Sequence, residues 1–171
     1  GIARIRIDRE DASLGSMSLI LYSNQDVGGG LSTYEVVNQI AKKGSSADAR
    51  DRRFDVTLLI SGLPIVQIEL KQVTAKDGIF QAFNQVKKYA EEGVFRNNIF
   101  STLQLFVISN EQTTRYFANA MPKDMHRKFL FSWRTRDNKK VDNLYEFYKQ
   151  VLNIPDAHRL IANYTIVSED Q

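Results

Sequence analysis

Apolar and polar positions along this chain mark out two strand-length segments around a turn. Val, Ile, Leu and Phe dominate Phe54 to Ile60 and Ile65 to Leu70, a composition that favours strands. Ser61-Gly62-Leu63-Pro64 between them reads as a reversal. The pattern therefore predicts a β-hairpin. Each arm carries an acid: Asp55 near the start of the first, Glu69 near the end of the second, with Lys71 two positions on. Side chains alternate faces along a strand, so Glu69 and Lys71 share one. If Ile60 pairs with Pro64, or Leu59 with Ile65, Asp55 falls directly opposite Glu69. Opposed residues have Cβ atoms roughly 5 Å apart. A slip of one residue turns Asp55 to the other face.

After the hairpin the period changes. Ile79, Phe83, Val86 and Ala90 recur at helical spacing within Asp77 to Glu92, with Asp77 as candidate N-cap and Gly93 as stop. Gln85 and Tyr89 are four apart and share a face of that helix. Ser101 to Ser109 is the most apolar run and reads as a central strand, followed by another over Thr113 to Ala120. A parallel crossover through the helix places the 101–109 strand beside the hairpin.

The flanking segments are less regular. Ile2 to Arg9 reads as an edge strand and Met17 to Tyr22 as a strand. Ser23 to Gly30 is a loop; its three glycines lack the Lys-Ser or Lys-Thr of a phosphate loop. Leu31 to Ile40 is compatible with helix or strand. Ala41 to Asp51 is small and polar, a loop. Phe129 to Trp133 is a packed aromatic stretch, with burial of Trp133 favoured over stacking on a base, and Arg134 to Lys140 is a polar loop. Val141 to Leu152 is a helix, a shorter one follows Pro155, and Tyr164 to Val167 is a tail strand. The order predicts an α/β core, a central mixed β-sheet flanked by helices.

Composition narrows the chemistry. The chain has 171 residues, enough for one domain with a real core. It has no cysteine and two histidines, His126 and His158, so a thiolate centre is excluded and the histidines alone build no zinc site. No apolar run reaches membrane-spanning length, and the first residues lack a signal peptide's apolar stretch. Net charge is only +3, but basic residues cluster around the hairpin and helix. Arg52, Arg53, Lys76 and Lys88 are candidate DNA contacts, a role that competes with an ordinary solvated face.

Two readings of the acidic pair stand side by side. One is a surface hairpin with a wet face. The other is a magnesium centre: Mg²⁺ takes oxygen ligands and keeps several waters, so two carboxylates suit it. A neighbouring lysine then offsets charge developing on a phosphodiester. Glu35 is a weaker candidate carboxylate. Gln85 and Tyr89 either hold Glu69 and Lys71 in place or belong to an ordinary amphipathic helix.

Asp55, Glu69-Leu70-Lys71 and Gln85-x-x-x-Tyr89, within RRFDVTLLISGLPIVQIELK and FNQVKKY, together resemble the nuclease domain of type I restriction endonuclease R (motor) subunits. The likeness extends over nearly the whole chain, including Val36–Gln39, FVISN, Phe129–Trp133 and Ile154-Pro155. Ser61 stands where that family usually has Asn. The resemblance implies a restriction-endonuclease-like, PD-(D/E)xK core over residues 1–171, at the N-terminal end of a much longer polypeptide whose ATPase and helicase parts are absent here. It implies Mg²⁺ held by Asp55, Glu69 and the Leu70 carbonyl, with Lys71 as catalytic lysine and Gln85 and Tyr89 as an additional motif. It further implies ATP-dependent cleavage of double-stranded DNA, methyltransferase and specificity subunits as partners, and the cytoplasm of a prokaryote. A non-catalytic DNA-binding or docking module on the same fold, and a repair or recombination nuclease, are the alternatives.

Overall fold

The computed structural model describes residues 2–23, 27, 28, 30–43 and 51–164. The predicted hairpin is present as β4 (Arg52–Ile60) and β5 (Leu63–Leu70), at the heart of a five-stranded sheet. The earlier strands are β1 (Ile2–Asp8), β2 (Ser16–Ser23) and β3 (Tyr34–Lys42), and the later ones in the sheet are β6 (Leu105–Ser109) and β7 (Thr114–Ala118). The sheet order is β3-β4-β5-β6-β7, and β5–β6 is its parallel pair. Helix α1 (Gly78–Glu91) makes that crossover, as the long apolar run after a helix requires. The mixed sheet flanked by helices is the expected restriction-endonuclease-like α/β architecture. β1 and β2 form a separate two-stranded ribbon.

Two apolar clusters hold the layers. On one face of the sheet, Ala82, Phe83, Val86 and Ala90 of α1 pack with Phe54, Phe106, Ile108 and Phe117. On the other, Ile60, Val66, Ile68, Leu105 and Val107 meet Phe147, Val151 and Leu152. Those last residues belong to α2 (Leu144–Phe147) and the wide helical turn Tyr148–Leu152 that continues it. α3 (Asp156–Tyr164) follows. Its His158 is fully buried, with ring nitrogens 2.7 Å from the Tyr34 hydroxyl and 2.8 Å from the Ser23 carbonyl. A carbonyl only accepts, so Nε2 carries the proton and Nδ1 accepts from Tyr34. This contact ties the end of β2 and the start of β3 to α3.

Several expectations need correcting. Helix α2 starts at Leu144, not Val141. Asn143 caps it by accepting from the amides of Tyr145 and Glu146. Val141 instead pairs with Trp133 in a short hairpin of β8 (Trp133–Arg134) and β9 (Lys140–Val141), so part of the polar loop is strand. Trp133 is half-buried. Asp77 stands at the N-terminus of α1 but is left-handed (φ 55°) and its side chain caps nothing. The stop at Gly93 is as expected. Its φ is 72°, and the amides of Gly93 and Val94 reach back to Ala90 and Tyr89, the 5→2 and 6→1 pattern of a Schellman end. Leu31 to Ile40 resolves as strand from Tyr34. Residues 44–50 of the expected 41–51 loop, and 165–167 of the expected tail strand, lie outside the described residues.

The hairpin turn is tighter than expected. Ile60 pairs with Leu63, leaving Ser61 and Gly62, both at positive φ (51° and 77°). That is the two-residue turn whose twist matches the strands. Continued without a break, this pairing would set Asp55 opposite Ile68. A one-residue irregularity between Leu58 and Leu59 makes Leu58 pair with Val66 and Val56 with Ile68. The bulge thus restores the register that, continued one residue past Val56 and Ile68, sets Asp55 opposite Glu69. Ser61 adopts a conformation that Asn tolerates better, so Ser61→Asn is expected to stabilise the fold by about 0.5–1 kcal/mol. An unchanged midpoint in urea denaturation would contradict that.

Candidate metal and nuclease centre

The β4–β5 ladder ends at Val56 and Ile68. One residue further along β4, Asp55 is paired in neither ladder, and its carboxylate takes the place of a strand partner. Its Oδ2 accepts from the Leu70 amide at 2.8 Å. The neighbouring β3–β4 ladder is irregular at the same level. Asn38 pairs with Val56 and Ile40 with Phe54, while Gln39 between them is left-handed, φ 57°. Val56 packs on the α2 side, yet Phe54 and Ile40 pack on the α1 side. This reversal of alternation sits at the position of Asp55.

Glu69 points toward α1 and is 1% exposed. The stripe of α1 facing it supplies Gln85 and Tyr89, as their spacing predicts. Lys71 Nζ donates to Gln85 Oε1 at 2.5 Å. Gln85 Nε2 donates to Glu69 Oε1 and, at 2.8 Å, to the Tyr89 hydroxyl. An ammonium only donates, which fixes the orientation of the amide. Gln85 thus sits between the acid and the lysine, bonded to both. Just inward, the opposed pair Thr57 and Gln67 forms a buried 2.7 Å hydrogen bond on the same face.

The electrostatics of Glu69 are unusual. Burial, then the nearby Asp55 charge, push its carboxyl up from 4.5 to about 8, and Lys71 offsets this only in part. Burial and the Glu69 charge likewise hold the Tyr89 phenol above its usual value. Glu69 Oε2 is the one buried side-chain polar atom among the described residues with no hydrogen-bond partner. Such an orphan is costly unless another group satisfies it.

This donor set fits a hard divalent cation. Glu69 Oε2 is unpaired, Asp55 has a second oxygen with no hydrogen bond among the described residues, and Leu70, whose amide holds Asp55, follows Glu69 directly and brings its carbonyl. Mg²⁺ is commonly held by one or two carboxylates plus waters. No group of three or more His, Cys, Asp and Glu suited to a metal occurs among the described residues, so zinc-type coordination is disfavoured.

The other candidate residues fall elsewhere. Glu35 pairs opposite Leu59, four positions along β4 from Asp55, and is exposed. Arg52 makes a two-pronged ion pair with Glu92 and lies over the Tyr89 ring, 5.1 Å from its centroid. Its guanidinium is therefore committed within the fold instead of being presented to a phosphate. Arg53, Lys76 and Lys88 are exposed. Sequence reasoning missed the Arg52–Glu92 tie, which joins residues forty positions apart, and the left-handed Gln39.

The mixed sheet flanked by helices is a restriction-endonuclease-like fold. Residues 7–124 match the family "Type I restriction enzyme R protein N terminus", and the chain belongs to that family. It is 37% identical over 135 residues to the type I restriction enzyme EcoprrI endonuclease subunit of Escherichia coli, covering 78% of this chain and 42% of that protein. It is 35% identical over 136 residues to the SauCOLORF180P endonuclease subunit of Staphylococcus aureus (strain COL), covering 80% of this chain and 14% of the relative. The SsaAORF53P endonuclease subunit of Staphylococcus saprophyticus matches to the same extent. The chain therefore spans less than half the length of these relatives. No helix among the described residues is long and apolar enough to cross a membrane.

Proposed function

We propose that this chain is the nuclease domain of a type I restriction enzyme R subunit and that it hydrolyses phosphodiesters of double-stranded DNA with Mg²⁺. The observation that carries the reading is the unpaired, buried Glu69 oxygen beside Asp55, with Lys71 tethered nearby. Asp55, Glu69 and the Leu70 carbonyl would hold the cation. When bound, Mg²⁺ supplies polarisation of the scissile phosphate and acidification of a water. Lys71 stabilises the negative charge that develops in the transition state. Gln85 keeps the Lys71 ammonium and the Glu69 carboxylate at fixed separation, and Tyr89 anchors the amide. Asp55 is locked by the Leu70 amide, so its free oxygen has a defined direction.

In this reading the ATP-driven motor lies in the remainder of the polypeptide. DNA, a methyltransferase subunit and a specificity subunit are the partners, and the prokaryotic cytoplasm is the setting. The test uses the intact subunit in its complex. Lys71→Ala is expected to abolish cutting while ATP hydrolysis persists. Cutting at the native rate would favour a non-catalytic docking module. Gln85→Ala is expected to slow cutting by about 10–100-fold, the usual cost of losing a group that orients a metal ligand. Single-turnover cleavage measures it, and an unchanged rate would mean that the amide bridge has no part in the chemistry.

A further inference from the structure

Beyond the acidic pair, the α1 side of the molecule carries a second feature. A cleft of about 450 Å³ lies between the first turn of α1 (Asp77, Gly78, Phe80), the β6–β7 loop (Asn110, Thr113) and the 127–130 segment. One cation–aromatic pair, Arg127 with Phe80, lines it, and a second, Lys128 with Phe129, follows in the same 127–130 segment. The Arg127 guanidinium lies 4.7 Å from the centroid of Phe80, and Lys128 Nζ lies 4.9 Å from that of Phe129. All four residues are exposed. Phe80 and Phe129 are each more than 40% exposed. Arg127 has one weak side-chain bond, 3.4 Å to Asn84, and no ion pair among the described residues. By contrast, Arg115, also lining the cleft, is committed to Asp142.

The cleft also adjoins the candidate centre. A Cβ built on Gly78 would stand 3.3 Å from the Lys71 Cβ. The backbone that walls the cleft is thus the backbone against which the lysine starts. Free cations beside exposed ring faces are what a nucleic acid strand with unstacked bases takes: charge for the phosphates and rings for the bases.

We propose that this cleft holds the DNA strand flanking the cut, with Arg127 on a phosphate and Phe80 and Phe129 against unstacked bases. The inference rests on the nuclease reading for its substrate, but its test is separable. A photoreactive benzophenone side chain is placed at position 80, 129 or, as a control on the far side of the sheet, 145, in the intact complex bearing Glu69→Gln. Expected are DNA adducts from 80 and 129 and none from 145. Adducts to protein only, or equal DNA labelling from 145, would overturn the proposal. In the native background, Arg127→Glu is expected to slow cutting about tenfold or more with Mn²⁺ binding unchanged, and an unaltered rate would also overturn it. Adducts from 80 and 129 in a Glu69→Gln protein that still cuts would leave the cleft assignment standing and remove the metal-centre reading.

Discussion

Glu69→Gln is expected to abolish DNA cleavage by the intact subunit and, in the absence of metal, to make the fold more stable at alkaline pH. The two effects have one origin. The substitution removes a proposed cation ligand, and with it an expected contribution of several kcal/mol to the transition state, at least about a thousandfold in rate. It also removes a buried acid that the fold holds unfavourably when ionised. Glu69 titrates near 4.5 when unfolded and at about 8 when folded. Between those values the folded chain holds a proton that the unfolded chain has released. The stability linked to it is therefore complete below pH 4.5 and is lost as pH rises through 8. The slope approaches about 1.4 kcal/mol per pH unit. Glu69→Gln should flatten that part of the profile. Denaturation midpoints at pH 5 and pH 8, without metal, measure it. A midpoint that changes from pH 5 to pH 8 by the same amount in both proteins would contradict the assigned environment of Glu69.

Phe106→Ala is expected to cost about 3–5 kcal/mol, enough to leave much of a marginally stable domain unfolded. Phe106 is fully buried, on the interior strand β6. Its ring lies 5.1 Å from Phe95 and stacks 5.2 Å from Phe117. Phe54 and Phe83 extend the same aromatic layer through Phe95 and Phe117. The layer lies between the sheet and α1, so its loss would also displace Gln85 from Glu69. A loss below 1 kcal/mol in urea denaturation would show that the layer can close over the gap.

The hairpin, the helix and the parallel crossover were legible because period and composition change sharply at Pro64, Asp77 and Ser101. The four-residue spacing of Gln85 and Tyr89 put them on one helix face but left open whether that face meets Glu69, which the packing of α1 on the sheet decides. The turn was not legible in the same way. A two-residue turn plus a bulge and a longer turn without one give the same register at Asp55, and the apolar pattern does not separate them. Val141 was read into a helix because it fits the period of Leu144, Phe147 and Val151, but Trp133 across a short hairpin claims it. Arg52 was read as a candidate phosphate contact, and its ties to Glu92 and Tyr89 could not be seen in the sequence. The basic clefts and ties of this surface depend on residues tens of positions apart, which no local pattern connects.

Mn²⁺ binding to the intact subunit without nucleotide, compared with its Glu69→Gln variant, tests the shared-cation centre most directly. The account predicts at least one site present in the native protein and absent from the variant, with anomalous density between residues 55 and 69. Equal binding by both proteins, with no density between those carboxyl groups, would contradict it.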